Sequence, residues 1–393
     1  QTLVAIVVGL LLVGLCVTWV VLRPEPPTAD AMAHVAGDGH WIVMTSRDES
    51  LWVMEVEGER FRRLARGPAA AESLLPRSPR IAFYWGTRGS GPNWFADPET
   101  GRMWRILPWA DDISPSGNYW LDYGYETLTI RPIGPGLHES IELSAGDGLY
   151  AVGWSPDERT LYAVSSPNAA ATPPDDTVAR VLAIRPFEDP EERVELGRID
   201  AQLSRGSASP DGRWLRLYQY GHVVDGMVRP GESALFSLDM GETVMLGDFE
   251  PWTDGWTADG RYLWGSFFDR NMKFEDRRVE VYDLERREVV RRITSEDVGG
   301  LVPLNGSASP YSPHVRVYAF GQRSEEGHRA RGWSLADTDG SNLRMMDLSE
   351  FAHIYGWTHD GDIVVEEAGR ISRYDPDTGA RRTIHELPAS DDG

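Results

Sequence analysis

GWTADGRYLW, residues 255–264, has two near copies in the same chain: GWSPDERTLY at 153–162 and GWTHDGDIVV at 356–365. A catalytic motif usually occurs once, so a phrase that returns points to a repeated structural unit. More degraded copies fill the intervals: SASPDGRWLRLY (207–218), DISPSGNYWLDY (112–123), SASPYSPHVRVYAF (307–320), AGDGHWIVM (36–44) and PRSPRIAFYW (76–85). Counted from the turn, they fall at Asp38, Ser78, Ser116, Asp157, Asp211, Asp259, Tyr311 and Asp360, at intervals of about 38 to 54 residues.

A second phrase follows each first one. LWVMEVEGERFRRL (51–64), LFSLDMGETVML (235–246), VEVYDLERREVVRRI (279–293) and ISRYDPDTGARRTI (371–384) are the clearest. Each is an apolar strand, a turn rich in Asp, Gly, Pro or Glu, and another strand. Asp-Gly between alternating apolar residues is a strong hairpin signal, because the tight turn needs a residue with positive φ. One unit is therefore a four-stranded antiparallel meander. A lone meander cannot cover both of its faces, whereas copies set radially bury each sheet against the next. The expectation is an all-β propeller of eight blades, with seven left open because the first two copies are weak. Trp154, Trp256 and Trp357 should end innermost strands and wedge between blades. The turn aspartates are read as structural, not as catalytic acids.

The motif W-S-P-D-G-R followed by L-x-x-x-D-x-x-x-G resembles the WD40-like PD40 repeat of the TolB propeller. It is also similar to the propeller of dipeptidyl-peptidase-IV-type proteins. The resemblance covers about residues 33–388 and implies a fold, not a function, since propellers serve many purposes. The peptidases of that second group carry a separate hydrolase domain. None follows the last repeat in these residues, and their activity is not expected here.

Bulk composition agrees. The 393 residues include 15 Trp and 40 Gly and carry a net charge of −22. Such an acidic surface repels phosphate backbones, which argues against nucleic-acid partners. Lys273 is the only lysine and Cys16 the only cysteine, so neither a disulfide framework nor a Cys-based metal site is available. The nine histidines show no metal-ligand spacing. H-E-x-x-H, G-x-S-x-G, the P-loop and the Rossmann glycine pattern are all missing from the sequence. DTDG at 337–340 reads as a plain turn, not an EF-hand loop. No cofactor, metal or catalytic residue is expected.

Residues 2–22, TLVAIVVGLLLVGLCVTWVVL, carry no charge. Roughly 20 residues at 1.5 Å each span a bilayer core. Residues 1–22 are read as a single uncleaved anchor, with Val4, Val7 and Leu11 in the lipid and Trp19 at its interface. Three alternatives stay open: a signal peptide cleaved near Ala29-Asp30-Ala31, a lipoprotein site at Cys16, where Leu15 is a poor neighbour, and a buried core helix, against which an all-apolar segment at the N-terminus of a polar chain argues. Residues 23–32 form a stiff Pro-rich spacer, and 33–393 the propeller. The N-terminus is placed in the cytoplasm and the propeller on the periplasmic or extracytoplasmic side.

Four consecutive units have long second connections: 165–176, 218–232, 267–278 and 320–332. They should project from one face and one half of the disc, where a rigid scaffold presents binding loops. Tyr220, His222, Arg229, Phe268, Arg270, Lys273, Arg323, His328 and Arg331 are the candidate contact residues, aromatics and Arg being common interface anchors. The function expected is that of a non-catalytic docking or stabilising subunit of a larger membrane complex, whether respiratory, transport or photosynthetic. An envelope ligand sensor, and an enzyme with a hydrolase or lyase site in the central channel, are the alternatives.

Overall fold

The computed structural model describes residues 27, 32–46, 49–65, 69–74, 78, 80–85, 93–105, 112–123, 127–133, 139–144, 148–165, 178–201, 203, 205–218, 223–224, 227–228, 233–247, 249–267, 276–309, 311–323 and 329–388. Within them, eight four-stranded antiparallel sheets follow one another along the chain: 32–65, 69–105, 112–144, 149–200, 205–245, 249–293, 302–345 and 353–386. The two weakest sequence copies are complete four-stranded sheets, which decides eight over seven.

The first strands of blades 1 and 2, 4 and 5, 6 and 7, and 8 and 1 touch one another, as the inner wall of a ring requires. Middle strands lie between two neighbouring sheets and are buried on both faces. Ser233–Ser237 (SALFS) is buried at every position, and Trp264, Phe83, Phe95 and Phe236 are among the largest fully buried side chains. Outer strands have one free edge and are largely exposed, as along Asp189–Asp200.

The three tryptophans sit where the repeat places them. Trp154 ends the strand Leu149–Trp154, Trp256 ends Phe249–Trp256 and Trp357 ends His353–Trp357, and all three are buried. Each packs into a cluster shared with the preceding blade: Trp154 with Tyr119 and Leu128, Trp256 with Trp214 and Leu235, Trp357 with Leu335 and Met346. The Trp256 indole also donates to Ser207 Oγ across the interface, at 3.1 Å.

The ring closes by packing of the eighth blade on the first, with no strand exchanged between the ends of the chain. Ala33, Val35, Ile42 and Met44 share a cluster with Tyr355, Val364 and Ile371. His359 N donates to Gly39 O at 3.1 Å, and the His40 and His359 rings stack at 3.9 Å. A Cβ on Gly39 would fall 2.2 Å from His359 N, so only glycine permits this approach. Arg373, 8% exposed, ties the seam from below: it meets Asp362 at 2.6 Å, Asp360 in the same blade, and Glu57 of the first blade at 2.5 Å.

Positions 2–22, including Val4, Val7, Leu11 and Trp19, lie outside the described residues. Among the described residues no helix is long and apolar enough to cross a membrane.

Two seam carboxyls are held below their ordinary pKa. For Glu57 the hydrogen bond from Arg382 is the largest cause, with the Arg373 charge adding to it against some burial. At Asp360 burial pushes upward, but hydrogen bonds from Arg373 and Thr358 outweigh it. A depressed carboxyl contributes stability that is present above its unfolded pKa and is lost as pH falls through the folded one. Losing one partner of a buried pair costs roughly 3–5 kcal/mol, and partial exposure of these carboxylates screens that. Arg373→Met should therefore destabilise the protein by about 2 kcal/mol near neutral pH. In thermal melts the gap to wild type should narrow below about pH 4. An equal gap at both pH values would show that the arginine acts through packing alone.

Candidate functional site

The disc has two dissimilar faces. On one lie the connections between second and third strands. In blades 4 to 7 these span 166–177, 219–232, 268–277 and 324–328, carried on the pairs Leu161–Ser165 with Val178–Arg185, Trp214–Tyr218 with Ser233–Ser237, Tyr262–Phe267 with Arg278–Asp283, and His314–Arg323 with Arg329–Asp337. In blades 1, 2, 3 and 8 the same connection is 46–50, 86–92, 124–126 and 368–369. By strand ends, the longest of these connections belong to blades 4, 5 and 6, while blade 7 carries its length as an extension of the two strands themselves.

Tyr220, His222, Arg229, Phe268, Arg270, Lys273 and His328 lie outside the described residues. Arg323 and Arg331 are described only in their backbone, and there the loop expectation needs correcting. The two strands of blade 7 continue outward as a hairpin, pairing Phe320 with Arg331 and Arg323 with Arg329. These residues extend the sheet rather than leave it, so both arginines sit on strands. Blade 5 adds a separate two-stranded hairpin, Val223–Val224 with Met227–Val228, inside its connection.

On the opposite face, the turns between first and second strands repeat one hydrogen-bond device. Ser155 Oγ donates to Asp157 Oδ1 at 2.6 Å, and Asp157 accepts from Arg159 N at 3.2 Å. Ser209 with Asp211, Thr257 with Asp259 and Thr358 with Asp360 repeat the first bond at 2.6, 2.6 and 2.5 Å. The hydroxyl in turn accepts from the second strand, as in Trp214 N to Ser209 Oγ at 2.9 Å. These aspartates are consumed by their turns. The Ser155 hydroxyl is the main reason the Asp157 carboxyl lies below its ordinary pKa, with the Arg159 amide second.

Successive turns also lean on one another. Ser78 Oγ donates to Ser116 O at 3.0 Å, Ser116 Oγ donates to Glu158 Oε2 at 2.7 Å, and Pro156 lies against Gly212. A Cβ on Gly260 would fall 2.3 Å from the Asp211 carboxyl carbon.

Two cavities open among the described residues. One, of about 630 Å³, lies between blades 6 and 7 and mixes charges of both signs: Asp283, Asp297 and Asp339 with Arg286 and Arg291. Arg291 meets Asp297 at 2.8 Å and Arg261 meets Asp283 at 3.4 Å, so much of this charge is already paired. The other, of about 560 Å³, sits at the inner edge of blades 3, 4 and 5, where the first strands run into their turns. Ile113, Leu121, Val152 and Trp154 form its apolar wall, and Asp157 and Glu158 stand at it. Sequence reasoning missed this cavity.

Among the described residues no group of three His, Cys, Asp or Glu is placed to hold a metal ion. DTDG is a turn, closed by Asn342 Nδ2 on Asp337 Oδ2 at 2.7 Å and Ser341 N on Asp339 Oδ1 at 2.9 Å. His314 is buried, its Nε2 lying 2.9 Å from Asp377 Oδ1.

No family model matches the chain, and no curated protein matches it. Solved structures do. Porphyromonas gingivalis dipeptidyl peptidase 4 superposes with a TM-score of 0.55 at 11% identity, covering 91% of this chain and 60% of that one. The chain is a β-propeller. The likeness to the dipeptidyl-peptidase-IV-type propeller read from the repeats therefore holds for fold, although this chain spans only three fifths of that protein's length. An oligogalacturonate lyase in complex with manganese matches at a TM-score of 0.48 and 11% identity, over 92% of this chain and 97% of its own. A putative TolB from Agrobacterium tumefaciens matches at 0.35 and 14%, over 75% and 87%. At these identities the chemistry of those proteins stays with them.

If the turns are structural, their substitutions should read out as stability. Asp259→Ala removes acceptors for Thr257 and Arg261 and should cost about 1 kcal/mol. Gly260→Ala places a side chain at φ 68° and against Asp211, and should cost about 2–3 kcal/mol. Urea unfolding of the two variants checks both the size and the order.

Proposed function

We propose that this propeller is a membrane-anchored, non-catalytic docking subunit of a larger membrane complex. One observation carries the reading: of eight blades, three consecutive ones (4, 5 and 6) have the longest second-to-third connections, and the next, blade 7, extends the same two strands as a hairpin. A ring sealed on itself gains nothing in stability from such loops, so their concentration in one half of the disc is explained by a partner seated there. The nine candidate residues at 220–331 bring Arg and aromatic side chains to that half. The apolar run at 2–22 supplies the anchor, with the propeller outside the cytoplasm. The sensor and channel-enzyme readings have no comparable feature on this face.

Lys273, the only lysine, stands within the third of these connections and makes the reading directly testable. A cross-linker with one amine-reactive and one photoreactive end, applied to the intact chain in native membranes, attaches internally only at Lys273. The expected result is the same membrane subunit recovered at near-stoichiometric yield, and its loss in Lys273→Arg. Recovery of Lys273 carrying only hydrolysed linker, with the protein monomeric in mild detergent, would sink the docking assignment.

A further inference from the structure

The turn of the fourth blade departs from the repeat at one position. Five other blades place glycine there in the left-handed region: Gly39, Gly117, Gly212, Gly260 and Gly361, at φ from 68° to 91°. The fourth has Glu158, at φ 58°. The equivalence is set by the backbone: Glu158 N donates to Ser155 O at 2.9 Å, as Gly260 N does to Thr257 O at 2.9 Å. A side chain in this conformation is strained, and such strain is kept where the residue gains something else.

Part of the gain is visible, since Glu158 accepts from both the amide and the hydroxyl of Ser116 in blade 3. That brace also fixes the carboxylate at the apolar cavity between blades 3, 4 and 5. The lining there contains two carboxylates, Asp157 and Glu158, and neither Arg nor Lys. Two cations lie nearby but outside the lining. Arg159 turns outward, 4.0 Å from Asp157, and Arg80 donates to the carbonyls of Gly117 and Ile133 at 2.5 and 2.6 Å. A proline from each of three successive turns (Pro115, Pro156 and Pro210) completes the rim.

We propose that this cavity is a binding site for a small organic cation, with an apolar or aromatic body against Trp154 and Ile113 and a protonated amine against Glu158. The volume of about 560 Å³ suits a ligand of that size. A wall of apolar side chains with acid as its only charge favours an apolar amine over an anion or a sugar. The net charge of −22 draws cations from a distance. The site lies on the face opposite the long connections and rests on no part of the docking assignment.

Dansylcadaverine and dansylamide share a fluorophore, and only the first carries an ammonium group. Titrated against the full chain, wild type should bind dansylcadaverine at least tenfold more tightly. Glu158→Gln, which keeps the shape and removes the charge, should bring the two probes to within about twofold. Glu158→Gly, the repeat's own residue, should do the same while melting no lower than wild type. Ala208→Leu, which narrows the cavity, should weaken both probes. The proposal is overturned if neither probe binds saturably, if Glu158→Gln keeps the tenfold preference, or if Ala208→Leu changes nothing. It is also overturned if Glu158→Gly weakens both probes equally and lowers the melting temperature, for Glu158 would then be a brace between turns and nothing more.

Discussion

Every blade of this molecule has two apolar faces and no cover of its own. That constraint organises the rest. A four-stranded meander with Leu, Val, Phe and Trp on both sides is stable only between two others, so the sheets must form a ring, and the ring must shut. Here the last blade meets the first with complete sheets on either side. The burden falls on side chains: the Tyr355, Val364 and Ile371 cluster against Val35 and Ile42, the Gly39 to His359 contact, and Arg373 reaching Glu57. A seam held by packing and one ion cluster transmits strain without the redundancy of a shared β-ladder.

The turns solve a second problem. Blades converge toward the axis, so the inner turns crowd one another. In four blades a hydroxyl and an aspartate fold the turn inward on itself, and in five a glycine keeps its outer surface bare, as where Asp211 rests on Gly260. Glu158 takes the place of that glycine in the fourth blade. It accepts an unfavourable backbone angle and reaches sideways to Ser116, replacing a steric contact with a polar one.

The repeat made the fold legible because its spacing, its turn chemistry and its tryptophan wedge all state the same geometry. GWTADGRYLW implies a strand end, a tight turn and a new strand, and Trp256, Asp259 and Tyr262 occupy those places. The weak copies at 36–44 and 76–85 hid complete blades, since burial between neighbours tolerates almost any apolar residue. Blade 7 was misjudged for a related reason. GQRSEEGHRARG is polar throughout, and polarity reads as loop, yet its two ends pair as strands, since backbone pairing needs no apolar side chains. The inner cavity was illegible, because its walls come from three blades and no local pattern encodes their distance. One signal for it was present in plain view: GWSPDERTLY carries Glu where its sister phrases carry Gly.

The two faces follow different rules because the chain crosses them differently. First-to-second turns lie near the axis, where neighbours press on them and insertions would collide. Second-to-third connections leave the disc where nothing opposes growth, so length accumulates there without disturbing any blade. A propeller can therefore vary one face freely only by holding the other constant. In this chain the division is unequal around the ring, with the longest connections in blades 4 to 6, a hairpin extension in blade 7, and shorter connections in blades 1, 2, 3 and 8. Ring stability makes no such distinction between halves, since all eight interfaces do the same work. The docking proposal accounts for that asymmetry by a partner on one half of the disc, and the strained glutamate of blade 4 is a separate departure from the repeat, on the opposite face.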